Sequence, residues 1–135
     1  MGYTRKVVTF TIVACATMVS GTSHRKVPCK TYANAASCYW VHGRLAAYNG
    51  PPSLRLWKIG THRLMGIYSG PNARDAKDNQ HPELPHSIED RLKPFDTSIV
   101  ADFEVCPLEE EKPNTMQAAC IESAKNIVVQ ELNQH

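Results

Sequence analysis

Two kinds of side chain in this sequence carry chemistry of their own, thiols and imidazoles. Cys29, Cys38, Cys106 and Cys120 form an even set once Cys15 is set apart, and an even set in so small a chain reads as a disulfide framework. Three pairings are open. The simplest joins Cys29 to Cys38 and Cys106 to Cys120, each closing a local loop, and a bridge over a loop near 15 residues is worth about 3 kcal/mol in the chain-entropy picture. Four buried thiols are the alternative. Bridges persist only in an oxidising compartment, so the pattern points outside the cytosol.

His42 and His62 are candidate metal ligands, with His81 and His86 in a proline-rich stretch. Neutral imidazoles suit zinc or copper. No pair has the spacing for adjacent ligation on one element, and ordinary surface or half-buried histidines are the favoured reading. A second constellation is aromatic and basic. Trp40, Arg44, Arg55 and Trp57, with Tyr48, Tyr68 and Arg63 close in sequence, are candidates for a sheet face that grips a peptide, glycan or acidic partner. The competing reading lays the arginine stems over rings that cover the sheet. Catalytic signatures are absent: there is no G-x-S-x-G, H-E-x-x-H, G-x-x-x-x-G-K or C-x-x-C. No cofactor and no catalytic residue is expected.

The elements that must position these residues follow from periodicity. Tyr39, Val41, Leu45 and Ala47 alternate with Trp40, His42, Arg44 and Tyr48, the pattern of a strand covered on one face. Gly43 interrupts it and predicts a bulge or a close backbone approach. Asn49-Gly50-Pro51-Pro52 is turn chemistry. Leu54 and Leu56 begin a second strand, Ile59 to His62 form a tight turn, and Arg63 to Tyr68 a third, which makes a meander. Ser69 to Pro94 is poor in apolar residues and rich in proline, so it predicts a long loop. Ser87 and Asp90 there resemble a capping box for one short helix ended by Pro94. Thr97 to Cys106 alternates cleanly, with Ile99, Ala101, Phe103 and Val105 on one face. Glu109 to Asn114 reads as a solvated acidic turn, with a calcium or basic-partner site as the alternative. Residues 116–132 fit either a helical face or a hairpin turning at Ser123 to Asn126, and the β-branched run Ile127-Val128-Val129 favours the hairpin.

At 135 residues the chain has room for one domain. Arg5 and Lys6 precede an uncharged run from Val7 to Gly21, the plan of a signal peptide and too short to span a bilayer. Residues 1–21 are therefore read as a targeting segment. Ile12-Val13-Ala14-Cys15 resembles a lipobox, which makes Cys15 a lipidation candidate, while Ala14 to Ala16 and Val19 to Gly21 offer ordinary cleavage sites. Residues 22–37 form a polar tether and residues 38–132 a single β domain with its loop at 69–96. The mature chain balances 13 basic against 13 acidic residues, but no acid precedes Asp75. From Arg25 to Arg74 eight Lys or Arg stand alone, and beyond them 13 acids meet five bases. The halves are expected to neutralise each other across the fold; a dipolar surface for an acidic partner is the alternative. Nucleic acid is excluded by charge and export.

The segments CYWVHGRLAAYNGPPSLRLWKIGTHRLMGI (Cys38 to Ile67), ADFEVCPL (Ala101 to Leu108) and CIESAKNIVV (Cys120 to Val129) resemble an uncharacterised family of small exported bacterial proteins. That resemblance implies export and a β domain, and no functional residues. The order of a G-R-L strand, N-G-P turn, R-L-W strand and later cysteine-ended strand is similar to transthyretin-like sandwiches. The expectation is an all-β fold, a small β-sandwich of the prealbumin or immunoglobulin kind with six or seven strands, one long loop and a short helix. Its expected place is the periplasm or envelope, or outside the cell, with a lipid at Cys15 as the one route to a membrane. Its expected work is structural, or the binding of a protein or small ligand through the Trp40/Arg44/Arg55/Trp57 face. The rival is a metal-binding role for His42 and His62.

Overall fold

The structure, a computed structural model, describes residue 2, residues 27–72 and residues 80–132. The targeting segment with Cys15 lies outside the described residues, as does the middle of the long loop.

The fold is all-β with one short helix. Five strands, β1 (Tyr39–Ala47), β2 (Leu54–Lys58), β3 (Leu64–Ile67), β4 (Thr97–Pro107) and β5 (Gln117–Glu131), form a closed barrel in the order β1-β2-β3-β5-β4. β1 is antiparallel to both β2 and β4, while β3 runs parallel to β5 over Met65–Ile67 and Gln117–Ala119. The connection from β3 to β4 carries the helix, α1 (His86–Glu89). The sheet is thus a five-stranded mixed barrel, antiparallel except where β3 meets β5. The two walls expected of a sandwich are here opposite walls of one sheet closed on itself. Five strands suffice because β4 and β5 are long enough to span both walls.

The meander follows the alternation. Val41, Gly43 and Leu45 of β1 face Phe103, Ala101 and Ile99 of β4, and Leu45, Leu56, Ile99, Ala101, Phe103 and Val105 are fully buried. Gly43 marks a close approach: a Cβ there would lie 2.7 Å from Leu56 Cδ1 and 2.9 Å from the Trp57 carbonyl oxygen. Opposite Ala101, it lets the walls pinch together. The β1–β2 turn is closed by the Tyr48 amide donating to the Ser53 carbonyl at 2.7 Å, with Gly50 at φ +89°. From α1, Ile88 plugs the barrel with no exposed surface.

Three local expectations are corrected. Residues 117–131 are one strand, neither hairpin nor helix; the Ser123-to-Asn126 stretch is absorbed by a bulge in the β4–β5 register, where Asn126 takes φ +54°. Ser87 does not cap α1: Pro85 is the N-cap residue, and its carbonyl accepts from the Ile88 and Glu89 amides. The disulfides do not close local loops. Cys29 is bonded to Cys120 and Cys38 to Cys106, over separations of 91 and 68 residues. Cys106 and Cys120 stand opposite each other in the β4–β5 ladder. Each therefore reaches outward to a cysteine of the N-terminal segment, which is thereby strapped to the barrel as more than a loose tether.

Candidate functional site

Outward-facing side chains on a barrel wall are placed by strand alternation and register. On β1 these are Trp40, His42 and Arg44, and on β2 Arg55 and Trp57. Arg44 stands opposite Trp57, with its guanidinium carbon 5.5 Å from the ring centroid. Arg55 stacks in the same way on Tyr48, at 5.0 Å. One member of each pair is tied down by hydrogen bonds. The Trp57 Nε1–H donates to the Thr61 carbonyl at 2.8 Å, and Arg55 donates to the carbonyls of Pro52 and Asn49 in the β1–β2 turn. Each stacked pair is worth about 0.5–1 kcal/mol at an exposed site, so the stacks orient the guanidinium groups more than they stabilise the fold.

These residues border a shallow depression lined by Arg44, Tyr48, Trp57, Gly60, Thr61, His62 and Leu64, with no carboxylate among them. Among the described residues neither Arg44 nor Arg55 has an ion-pair partner. Elsewhere the halves of the chain do neutralise each other. Lys30 meets Glu104 at 3.1 Å, Arg63 meets Glu111 at 2.8 Å, and His42 meets Asp102 at 2.9 Å. Every one of these pairs joins a group before Asp75 to an acid after it. Arg44 and Arg55 are left over from that balance.

The other sequence candidates lie apart from this centre. Trp40, 45% exposed, is four positions from Arg44 along β1, about 13 Å at the usual strand rise. Its ring is capped by the Lys125 ammonium at 4.2 Å. His62 sits on the exposed β2–β3 turn at the rim of the depression. Between Trp40 and Arg44, His42 Nδ1 is 2.9 Å from Asp102 Oδ1, and the second oxygen of Asp102 accepts from Asn126 Nδ2 at 2.8 Å. The Asn126 amide first, and then His42, hold the Asp102 carboxyl below its ordinary value, against a smaller opposing effect of burial. Asp102 and Asn126 were not legible as a unit from their spacing. The signal was there in register form, since pairing β1 with β4 sets His42 directly opposite Asp102.

Metal chemistry has a narrow basis. Among the described residues the one group of three close ligand atoms is Cys29, Cys106 and Cys120. Their sulfurs are committed to the two bridges, which leaves no thiolate to coordinate an ion. Neither His42 nor His62 belongs to such a group. A second concavity, near the α1 end of the barrel, is walled by Ala47, Leu54, Leu84, Leu92 and Phe95, with His81, Glu83 and Glu89 among the polar groups on its lining.

The bridges mark an oxidising environment, and no helix among the described residues is long and apolar enough to cross a membrane. No family model, no curated protein and no solved structure matches the chain.

Proposed function

We propose that this is an exported, non-catalytic binding protein of the bacterial periplasm or envelope that takes an acidic protein segment on the Arg44/Tyr48/Arg55/Trp57 face. The observation that carries the reading is the pair of guanidinium–ring stacks beside a depression without carboxylates. Arg44 is pre-oriented on its ring without a carboxylate partner, and Arg55, which gives Nε–H and one Nη2–H to the turn carbonyls, keeps further N–H donors; both suit a carboxylate. The occupant is an acidic peptide in preference to a glycan, because each ring face that a sugar would stack on is already covered by a cation. Export rests on the charge-free run from Val7 to Gly21 behind Arg5 and Lys6 and on the disulfides. Ordinary cleavage and lipidation at Cys15 are both compatible with it.

Titration of the oxidised protein with poly-L-glutamate, followed by tryptophan fluorescence at low and high salt, tests the reading. Saturable, salt-sensitive binding is expected, with Arg44→Ala and Arg55→Ala each weakening it by about tenfold, or about 1.4 kcal/mol. Binding unchanged in both variants, or a response to polygalacturonate alone, contradicts it.

A further inference from the structure

We propose that two copies of this chain associate through the free edge of β5, paired antiparallel about a two-fold axis at Val128. Three observations converge on that segment. β5 has a neighbour on both sides only at its start: β3 pairs with Gln117–Ala119, whereas Ser123 to Glu131 pair with β4 alone. Among the described residues, no backbone hydrogen bond from outside β4 reaches Ser123 to Glu131. An open edge of this length is a template for another strand.

The edge also lacks the features that usually blunt one. From Ile127 to Glu131 there is no proline and no Lys or Arg, and the bulge, at Asn126 and Ile127, touches only the start of the segment. Instead the segment is apolar and uncovered, with Val128 at 54% and Val129 at 42% exposure.

The sequence of the segment names its own partner. About Val128, antiparallel self-pairing sets Ile127 opposite Val129 of the second copy and Asn126 opposite its Gln130. Apolar then meets apolar and amide meets amide, each pair occurring twice by symmetry. Allowing for the bulge, Lys125 lies beside Gln130 and Glu131 of the second copy. In the isolated chain neither Lys125 nor Glu131 has an ion-pair partner among the described residues. The parallel alternative stacks Lys125 on Lys125 and Glu131 on Glu131, like charge on like, so charge selects the antiparallel arrangement. An isologous pair closes after two copies and does not propagate into a fibre.

Because Val128 meets itself at the axis, one substitution gives a charge-swap test. Sedimentation velocity on the oxidised protein, from micromolar to near-millimolar concentration, is expected to show reversible dimers. Val128→Lys and Val128→Glu alone each raise the dimer Kd by tenfold or more, and an equimolar mixture of the two dimerises again. Val128 is more than half exposed, so both variants keep the fold, checked by intact disulfides and an unchanged melting temperature in dilute solution. Hydrogen exchange adds a second readout: amides within residues 127–131 gain protection as concentration rises. A wild type that stays monomeric throughout, variants that dimerise as it does, or a mixture that fails to reassociate would each overturn the proposal. Arg44 and Arg55 are untouched, so the outcome is independent of acidic-peptide binding.

Discussion

The two ends of the β4–β5 ladder are made from the same pair of strands and are finished in opposite ways. At one end Cys106 faces Cys120, both fully buried, and each is bonded outward to the N-terminal segment through Cys38 and Cys29. At the other end Val100 faces Val128 and Thr97 faces Glu131, and among the described residues no strand pairs with the outer edge of β5. The two strands pair at both ends of the ladder, with two bulges between, so their mutual pairing does not set the difference. What differs is the third partner: a covalent strap at one end and, among the described residues, no further strand at the other. A small barrel with a modest core can leave one strand end exposed because its other end is locked.

That comparison breaks most severely if the strap is cut. Replacing Cys29 and Cys120 together by Ala is expected to cost about 2–5 kcal/mol, the usual range for a native bridge in a small secreted domain, read as a lower unfolding free energy in denaturant titration, with a steeper slope from the released denatured chain. The bridges are nested, so the effect of removing both is expected to exceed the sum of two single losses. Side-chain truncation sharpens the contrast within a single strand. Ile121→Ala, at a fully buried position beside the clamp, is expected to cost about 2–5 kcal/mol. Val128→Ala at the open end should stay within about 0.5 kcal/mol in dilute solution, the range of ordinary surface changes. Equal losses at the two positions would remove the distinction between the ends.

Much of this was legible in the sequence, for physical reasons that also explain what was not. The alternation in 99–105 is strict because those residues line a closed interior, and all four inward side chains are where the period puts them. The meander was legible from Asn49-Gly50 and from the turn at Gly60 because local turn chemistry encodes a hairpin. β5 misled because its first half is buried and its second half is not, so no single period describes it, and a bulge at Asn126 imitates a turn. The disulfide pairing was illegible for a related reason. It depends on Cys106 and Cys120 facing each other across a ladder and on where the N-terminal segment docks, neither of which loop length reports. Arg44, Arg55 and Trp57 were recognisable by type, while their separation from Trp40 and the His42–Asp102–Asn126 chain required the register of β1 on β4.

The smallest expected effect lies midway along the ladder, at Asp102. Its carboxyl is held below the ordinary range by Asn126 and His42, so it contributes stability that is fully present above the unfolded carboxylate value and declines as pH falls through the lower folded value. Asp102→Asn is expected to flatten the acid limb of the stability curve. Asn126→Ala should move the Asp102 titration, followed by NMR, up toward its ordinary range; a titration that stays in place would assign the shift to another cause.

The contrast between the locked and the open end stands on how the four cysteines are joined. Proteolysis of the native protein without reductant, followed by mass spectrometry of the linked peptides, addresses that directly. The account requires one species joining Cys29 to Cys120 and another joining Cys38 to Cys106, with no free thiol among the four. Peptides joining Cys29 to Cys38 and Cys106 to Cys120 would contradict it, because the N-terminal segment would then be untied from the barrel and both ends of the ladder would be open.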